Sequence, residues 1–252
     1  MNWNIIYDFL TGPALWFTFI FFIGGLLIRI TLLFRLSLQK DRIVYNHFNL
    51  GWGLRSIVRW LIPWASASMR QQPVFALVAF LFHLSLLAVP LFFSAHILLW
   101  DEAFGFSLWS LPDVLADGLT LVLIAAAVFL FIRRRIKPEV RILTSSWDYF
   151  LLIMTTLPFL TGFLAYHQWG PYEVLLILHI VLSQILLILV PTTKLSHMVL
   201  FFLPGPLAAL RWEGGEALVP GSLLHYFKIM VSVFLKQYQI RNPNIEIRNN
   251  LE

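Results

Sequence analysis

Four histidines on two long apolar segments are the residues of this chain best suited to bind a cofactor. His179 and His197 are eighteen residues apart, which is five turns of an α-helix at about 3.6 residues per turn. Both imidazoles are therefore expected on one helix face, separated by roughly 27 Å, close to the ~30 Å thickness of a bilayer's hydrocarbon core. His83 and His96 lie thirteen residues apart on a second segment. Two such helices predict two haem b groups, one above the other.

The depths expected for these histidines match in pairs. We predict that His83 and His197 ligate the iron of an inner haem, and that His96 and His179 ligate the iron of an outer haem. A single intramembrane histidine is often just a helix-to-helix hydrogen bond. Four histidines in two depth-matched pairs indicate a function instead, since polar groups at membrane depth are functional by default.

The second segment poses one geometric problem. On a straight helix, a thirteen-residue spacing leaves His83 and His96 about 140° apart. Pro90 lies between them, and a kink or wide turn there would bring both rings towards the fifth helix. Without it, His167 at the outer end of the fourth helix is the alternative ligand. His167 is also at the right depth to bind a quinone oxygen, or to lie in an aromatic belt without any such role.

The composition indicates a membrane protein built of helices. The chain is 59% hydrophobic and 12% charged, whereas soluble domains are nearer half apolar and a quarter charged. Five stretches are long enough to cross a bilayer, and in lipid they must be helical to satisfy their backbone groups. The predicted fold is an all-α integral membrane protein with a five-transmembrane-helix bundle. Its helices are expected at about residues 13–36, 74–100, 112–132, 147–166 and 172–202.

The basic residues predict the orientation of this bundle. All 18 Lys and Arg residues fall within 29–70, within 133–141 or from 194 onward, on one side of the predicted topology. The positive-inside rule then puts the N-terminus in the periplasm and the C-terminus in the cytoplasm. The net charge of +5 indicates contact with membrane lipids and no nucleic acid. Cysteine is absent, which excludes Cys-bound iron–sulfur clusters and thioether-bound haem.

Residues 1–202 are predicted to form the membrane domain, and residues 203–252 a cytoplasmic amphipathic helix and partner-docking tail. Apolar residues at 3–4 spacing also predict an interfacial amphipathic helix over residues 54–64. Basic side chains near the inner haem are candidates to pair with its propionates, although positive-inside topology alone explains them equally well. These are Arg55, Arg59, Arg70 and Lys194.

The histidine pattern resembles that of the di-haem cytochrome b gamma subunit of respiratory nitrate reductases. The residues that carry the likeness are Phe82-His83, His96, Leu178-His179 and Lys194-Leu195-Ser196-His197-Met198. In that family the fifth-helix histidines have this same spacing, and five helices run with the N-terminus outside. The second-helix pair of that family is three residues closer together than in this chain.

A closer likeness is to the cytochrome b subunit of the transmembrane redox complexes of sulfate-reducing bacteria, which is similar to the membrane subunits of their sulfite-reduction complexes. It spans about residues 9–202. The motifs are Gly12-Pro13, Leu54-Arg55-Ser56-Ile57, Leu111-Pro112-Asp113, Pro138-Glu139-Val140-Arg141, Ala165-Tyr166-His167-Gln168-Trp169 and Lys194-Leu195-Ser196-His197-Met198.

The resemblance implies an electron-transfer subunit of an oxidoreductase complex in the bacterial inner membrane. It implies a cytoplasmic iron–sulfur partner related to the heterodisulfide reductase catalytic subunit, and a multihaem cytochrome c on the periplasmic side. A menaquinone site near the outer haem would make the chain a menaquinol dehydrogenase subunit instead. The alternative of another class is a haem-free membrane anchor or transporter whose histidines serve packing or proton relay.

Overall fold

The computed structural model describes residues 3–40, 51, 55, 58–59 and 61–200, and within these residues all regular secondary structure is helical. The first helices are α1 (Trp3–Thr11), α2 (Pro13–Lys40) and α3 (Ala67–Gln71). They are followed by α4 (Pro73–Phe92), α5 (Ser94–Phe104), α6 (Asp113–Ile136) and α7 (Pro138–Ile142). The last are α8 (Ser146–Tyr166), α9 (Tyr172–Thr192), a 3₁₀ turn (Lys194–Ser196) and α10 (His197–Leu200).

Five helical segments of the described residues are long and apolar enough to cross a membrane, which confirms an all-helical, multi-pass membrane protein. These segments are Trp3–Thr31, Pro73–Phe92, Asp113–Ile136, Ser146–Tyr166 and Tyr172–Thr192. Local signals define several of their ends. Proline occupies the first position of α4, where its missing N–H costs nothing. Three arginines, Arg133–Arg135, lie in the last turn of α6, where they complement the helix dipole.

The helices pack in a defined order around α8. This helix packs against both α6 and α9, α6 packs against α4, and α2 packs against α9. The core between α4, α6 and α8 is apolar, and alanines on α6 let the helices approach closely. Its buried residues are Phe82, Val89, Leu123, Ala126, Ala127, Leu152 and Phe159. In the described part of the chain, α4 and α9 lack extensive mutual packing.

The bundle has two chemically distinct ends. We call the end that carries Asp113 and Asp117 the acidic end, and the end that carries Arg133 and Arg134 the basic end. At the acidic end, Asp113 accepts a hydrogen bond from Ser94 at 3.4 Å, and Asp117 lies close to the end of α8. At the basic end, Arg133 donates to Gln72 at 2.6 Å, and Arg134 donates to the Asp148 carbonyl at 3.0 Å.

The single helix predicted over residues 74–100 is wrong, because the chain breaks it at Phe93. Helix α4 ends at Phe92, Phe93 has an extended ψ of 133°, and α5 begins at Ser94. Pro90 lies inside the last turn of α4 and cannot donate a backbone hydrogen bond. The change of direction therefore comes three residues after the proline, within the stretch where the sequence pattern indicates a kink.

The continuous helix predicted over residues 172–202 is also wrong. Helix α9 ends at Thr192, and Thr193 is extended, with φ −124° and ψ −169°. The Thr193 hydroxyl accepts a hydrogen bond from the Leu195 N–H at 3.3 Å, so its side chain caps the next turn. His197 therefore begins a separate short helix, α10, and does not share a continuous helix face with His179.

The two predicted interfacial helices are described only in small part. Arg55, Val58, Arg59 and Leu61 are helical, as expected for the amphipathic helix predicted over residues 54–64, but Ile62 is in a bend and Pro63 and Trp64 are in a turn, so the predicted end at residue 64 is wrong. The second amphipathic helix and the docking tail, residues 203–252, lie outside the described residues.

Candidate functional site

Two pairs of histidine rings face each other at the two ends of the bundle. At the acidic end, the ring centres of His96 and His179 are 6.0 Å apart and their planes differ by 10°. At the basic end, the ring centres of His83 and His197 are 5.9 Å apart and their planes differ by 86°. We call these the acidic-end pair and the basic-end pair. They are the same two pairs that the sequence analysis matched by depth.

The break at Phe93 explains how the acidic-end pair forms. Because α5 starts in a new direction after Phe93, His96 escapes the 140° offset from His83 that a straight helix would impose. The His96 ring packs edge-on against Phe93, with centres 5.6 Å apart. Its Nδ1 is 3.1 Å from the Pro90 carbonyl oxygen, a group in the last turn of α4.

Each of the four rings is held in the same manner, by a hydrogen bond from Nδ1 to a backbone carbonyl. The acceptors and distances are Ala79 for His83 (2.7 Å), Pro90 for His96 (3.1 Å), Pro158 for His179 (2.8 Å) and Lys194 for His197 (2.8 Å). A carbonyl only accepts, so Nδ1 must carry the proton and Nε2 must carry the lone pair. Histidines that ligate a metal are oriented in this way, with the second nitrogen bonded to a carbonyl or carboxylate.

The spacing of the rings fits two imidazoles bound to opposite sides of one metal ion. A metal–imidazole bond is about 2 Å long, and a ring nitrogen lies about 1.2 Å from the ring centre, so trans ligands put the centres about 6.3 Å apart. Both pairs are within half an ångström of this value. The described residues contain no group of three or more His, Cys, Asp or Glu that could hold a bare ion. Two nitrogens suit an iron whose other four ligands come from a porphyrin.

The helix packing leaves the side of α4 that bears His83 uncovered by the α6–α8 layer. Helices α4 and α9, which flank both histidine pairs, are packed on the α6–α8 layer and lack extensive contact with each other in the described residues. One face of α4 carries Phe82, Ser85 and Val89 into the core, while His83 lies on its exposed side. The side of α4 that bears His83 is therefore available for a large planar ligand.

Gly162 is a close neighbour of the acidic-end pair that the sequence analysis missed. A Cβ added at Gly162 would lie 2.8 Å from both Cε1 and Nδ1 of His179. The absence of a side chain lets the His179 ring reach the carbonyl of Pro158, one turn earlier on α8. This long-range contact has no signal in the sequence beyond the glycine itself.

The turn that presents His197 is fixed by contacts to two other helices. The Lys194 ammonium pairs with Asp148 at 2.9 Å, and the other carboxylate oxygen of Asp148 accepts from the Ser145 N–H at 2.8 Å. From α2, Arg29 donates to the carbonyls of Pro191 at 2.6 Å and Thr193 at 3.2 Å. Arg29 satisfies the Pro191 carbonyl at the end of α9 and adds a third donor to the Thr193 carbonyl, which also accepts from Ser196.

The basic residues predicted to meet haem propionates have partners or exposure of their own. Lys194 is engaged by Asp148, and Arg70 donates to the carbonyls of Trp64 and Ala65 at 3.3 and 3.4 Å. Arg55 and Arg59 are exposed. Their pairing with propionates stays a prediction.

The structure places His167 in a contact separate from the two pairs. Its Nε2 lies 3.1 Å from an Asp117 carboxylate oxygen, and its ring contacts those of Phe163, Tyr166 and Trp169 at 4.5–5.4 Å. The sequence analysis did not identify Asp117 as the partner of His167. The ring facing His179 is that of His96, not His167.

Comparison with known proteins identified a similar protein whose name gives no function. The chain is 44% identical over 202 residues to a protein of Nitratidesulfovibrio vulgaris (strain Hildenborough) that is named simply "Protein". The match covers 79% of this chain and 89% of that relative. No family model matches the chain, and no solved structure matches it.

Proposed function

This chain belongs to the same family as that protein of Nitratidesulfovibrio vulgaris, and we propose that it is a membrane cytochrome b subunit. In this proposal two b-type haems, each bound by two histidines, carry electrons between the two sides of a bilayer. One observation carries the proposal: two histidine pairs, at opposite ends of a multi-pass bundle, have ring centres 5.9 and 6.0 Å apart.

His96 and His179 would hold the haem at the acidic end, and His83 and His197 the haem at the basic end. Haem supplies the one-electron redox chemistry when it is bound. The chain supplies two imidazoles per iron, and each is oriented by its Nδ1 hydrogen bond. With both axial positions filled by protein nitrogens, such a site suits electron transfer rather than oxygen chemistry.

The separation of the two histidine pairs along the bundle supports electron transfer across the membrane. His83 and His96 are thirteen residues apart, which is about 20 Å along the helical path at 1.5 Å per residue and less in a straight line, because the chain turns at Phe93. The breadth of the porphyrins would narrow the gap between the two centres. The apolar core between α4, α6 and α8 lies on the opposite side of α4 from His83 and lowers the local dielectric there.

We place the acidic end in the periplasm and the basic end in the cytoplasm of a bacterial inner membrane, following the positive-inside rule. Asp101 and Glu102 are exposed at the acidic end and suit a basic multihaem cytochrome c. At the basic end, an iron–sulfur subunit related to heterodisulfide reductase is the partner that the sequence resemblance implies.

The purified chain is expected to contain two haem b groups per polypeptide. The test is a reduced-minus-oxidised visible spectrum combined with pyridine haemochrome quantification, after expression in a host that makes haem b in excess. A Soret band and a sharp reduced α-band in a ratio of two haems per chain support the proposal. Protein that is folded and monodisperse but lacks a Soret band would favour the haem-free anchor or transporter.

The His167–Asp117 contact supports a second candidate, a menaquinol dehydrogenase subunit. A histidine and a carboxylate 3.1 Å apart, beside aromatic rings at the acidic end, suit a quinol headgroup and the protons that its oxidation to quinone releases. Both candidates use the same two haems and differ in whether quinol delivers the electrons.

Replacing His167 by glutamine separates these two candidates. If quinol is the donor, haem reduction by a menaquinol analogue is expected to slow about a hundredfold, the lower end of the range for loss of a general base, while both haems remain. Asp101→Asn, at the same end but away from His167, is the matched control. Loss of the acidic-end haem would instead make His167 a ligand, and unchanged reduction would count against quinol oxidation.

A further inference from the structure

A groove at the basic end has the features of a lipid-binding site. It lies between the start of α4 and the end of α6 and encloses about 370 Å³. Its walls are largely apolar, with Val74 and Phe75 on one side and Phe129, Ile132 and Ile136 on the other. Val74 and Ile136 are 62% and 71% exposed, so the groove opens to the outside of the bundle, where lipid lies.

Two basic side chains, Arg133 and Lys137, line the same groove. The Arg133 guanidinium donates to the Gln72 side-chain oxygen at 2.6 Å and lies 4.0 Å above the Phe75 ring. Both contacts are with neutral groups, and they fix the charge in place without neutralising it. Among the described residues, neither Arg133 nor Lys137 forms an ion pair with a carboxylate.

The location decides what kind of molecule fits. Both helix ends lie where spanning segments leave the hydrocarbon, so the apolar walls reach into the acyl region and the basic groups lie at headgroup depth. Basic pockets between transmembrane helices on this side of a membrane bind anionic headgroups. A zwitterionic headgroup would place its own ammonium near two positive charges.

We infer that this groove binds one anionic phospholipid, with an acyl chain against Ile132 and Ile136 and the phosphate on Arg133 and Lys137. The site is formed by α4 and α6 with the residues that flank them, Gln71, Gln72 and Lys137, and involves none of the four paired histidines. It therefore does not depend on the proposed haem function.

The test measures lipid retention by native mass spectrometry. The full chain is released from nanodiscs of equal phosphatidylglycerol and phosphatidylethanolamine, and its bound lipids are counted. We expect one retained phosphatidylglycerol per chain, and about a 10- to 30-fold lower retention in the double variant Arg133→Gln/Lys137→Gln, since each juxtamembrane charge contributes about tenfold or less. Arg141→Gln, a basic residue of α7 outside the groove, is the matched control and should retain the lipid.

A second variant, Ile136→Trp, fills the groove and leaves both charges intact. It is expected to lower retention as well, and its exposed position should tolerate the larger side chain. Unchanged retention in the double variant, equal loss in Arg141→Gln, or full retention in Ile136→Trp would each overturn the inference. Equal retention of phosphatidylethanolamine, or release by millimolar inorganic phosphate alone, would do so too, since each indicates a site without lipid-headgroup selectivity.

Discussion

Replacing His179 by alanine is expected to leave one haem per chain in place of two. The reason is that His179 and His96 would supply both bonds from the chain to one iron, and loss of either bond weakens the retention of a b-type haem, which has no covalent link to the protein. His197→Ala is expected to give the same stoichiometry by emptying the other pair. Pyridine haemochrome quantification per polypeptide measures both results.

His167→Gln serves as the matched control for these substitutions. It removes an imidazole from the same end of the bundle as His179, but one whose Nε2 is engaged by Asp117 at 3.1 Å. We expect it to retain two haems. Two haems in His179→Ala, or one in His167→Gln, would contradict the assignment of the acidic-end pair.

The ferric electron paramagnetic resonance spectra of the two alanine variants indicate which haem remains. Parallel axial imidazoles raise one iron d orbital above its partner and give a rhombic low-spin signal, whereas perpendicular imidazoles raise both equally and give a larger maximum g value. The ring planes differ by 10° in the acidic-end pair and by 86° in the basic-end pair. We therefore expect the larger maximum g value in His179→Ala, which keeps His83 and His197.

The heights of the four histidines could be predicted from the sequence because helical rise is nearly constant. The apolar run from residue 74 and the one from residue 172 each fix how far a given residue lies from the membrane surface. Matching those depths gives the pairs His83 with His197 and His96 with His179, which are the pairs that the structure brings together.

The directions of the rings could not be predicted, because they depend on breaks in the helices. The sequence analysis expected His179 and His197 to share the face of one helix, yet Thr193 is extended and its side chain caps a new turn. Proline marks the neighbourhood of a break but not its position. The turn at Phe93 follows Pro90 by three residues, and the turn at Thr193 follows Pro191 by two.

The contacts that orient the rings are mostly beyond the reach of sequence patterns. The hydrogen bond from His179 to Pro158 joins residues on different helices, and so do the contacts from Arg29 to the end of α9. Residue type alone does not distinguish these partners from many other carbonyls. Only the packing of α8 and α2 against α9 selects them.

Gly162→Ala is expected to weaken or abolish binding of the acidic-end haem while the basic-end haem stays. The new methyl group would lie 2.8 Å from two atoms of the His179 ring, closer than carbon atoms can approach. The ring must then leave the Pro158 carbonyl, which changes its position relative to the His96 ring. Haem stoichiometry in the variant should fall from two towards one, with loss of the more rhombic signal.

Helix stability cannot produce this loss, because alanine favours a helix interior over glycine by roughly 1 kcal/mol. Gly118→Ala provides the matched control, since a Cβ at Gly118 on α6 meets nothing within 4 Å. We expect that variant to keep both haems and to unfold at the same or a slightly higher temperature. If Gly162→Ala matches Gly118→Ala in haem content and spectrum, then the His179 ring is not held against α8 when haem is bound, and the proposed orientation of this ligand is wrong.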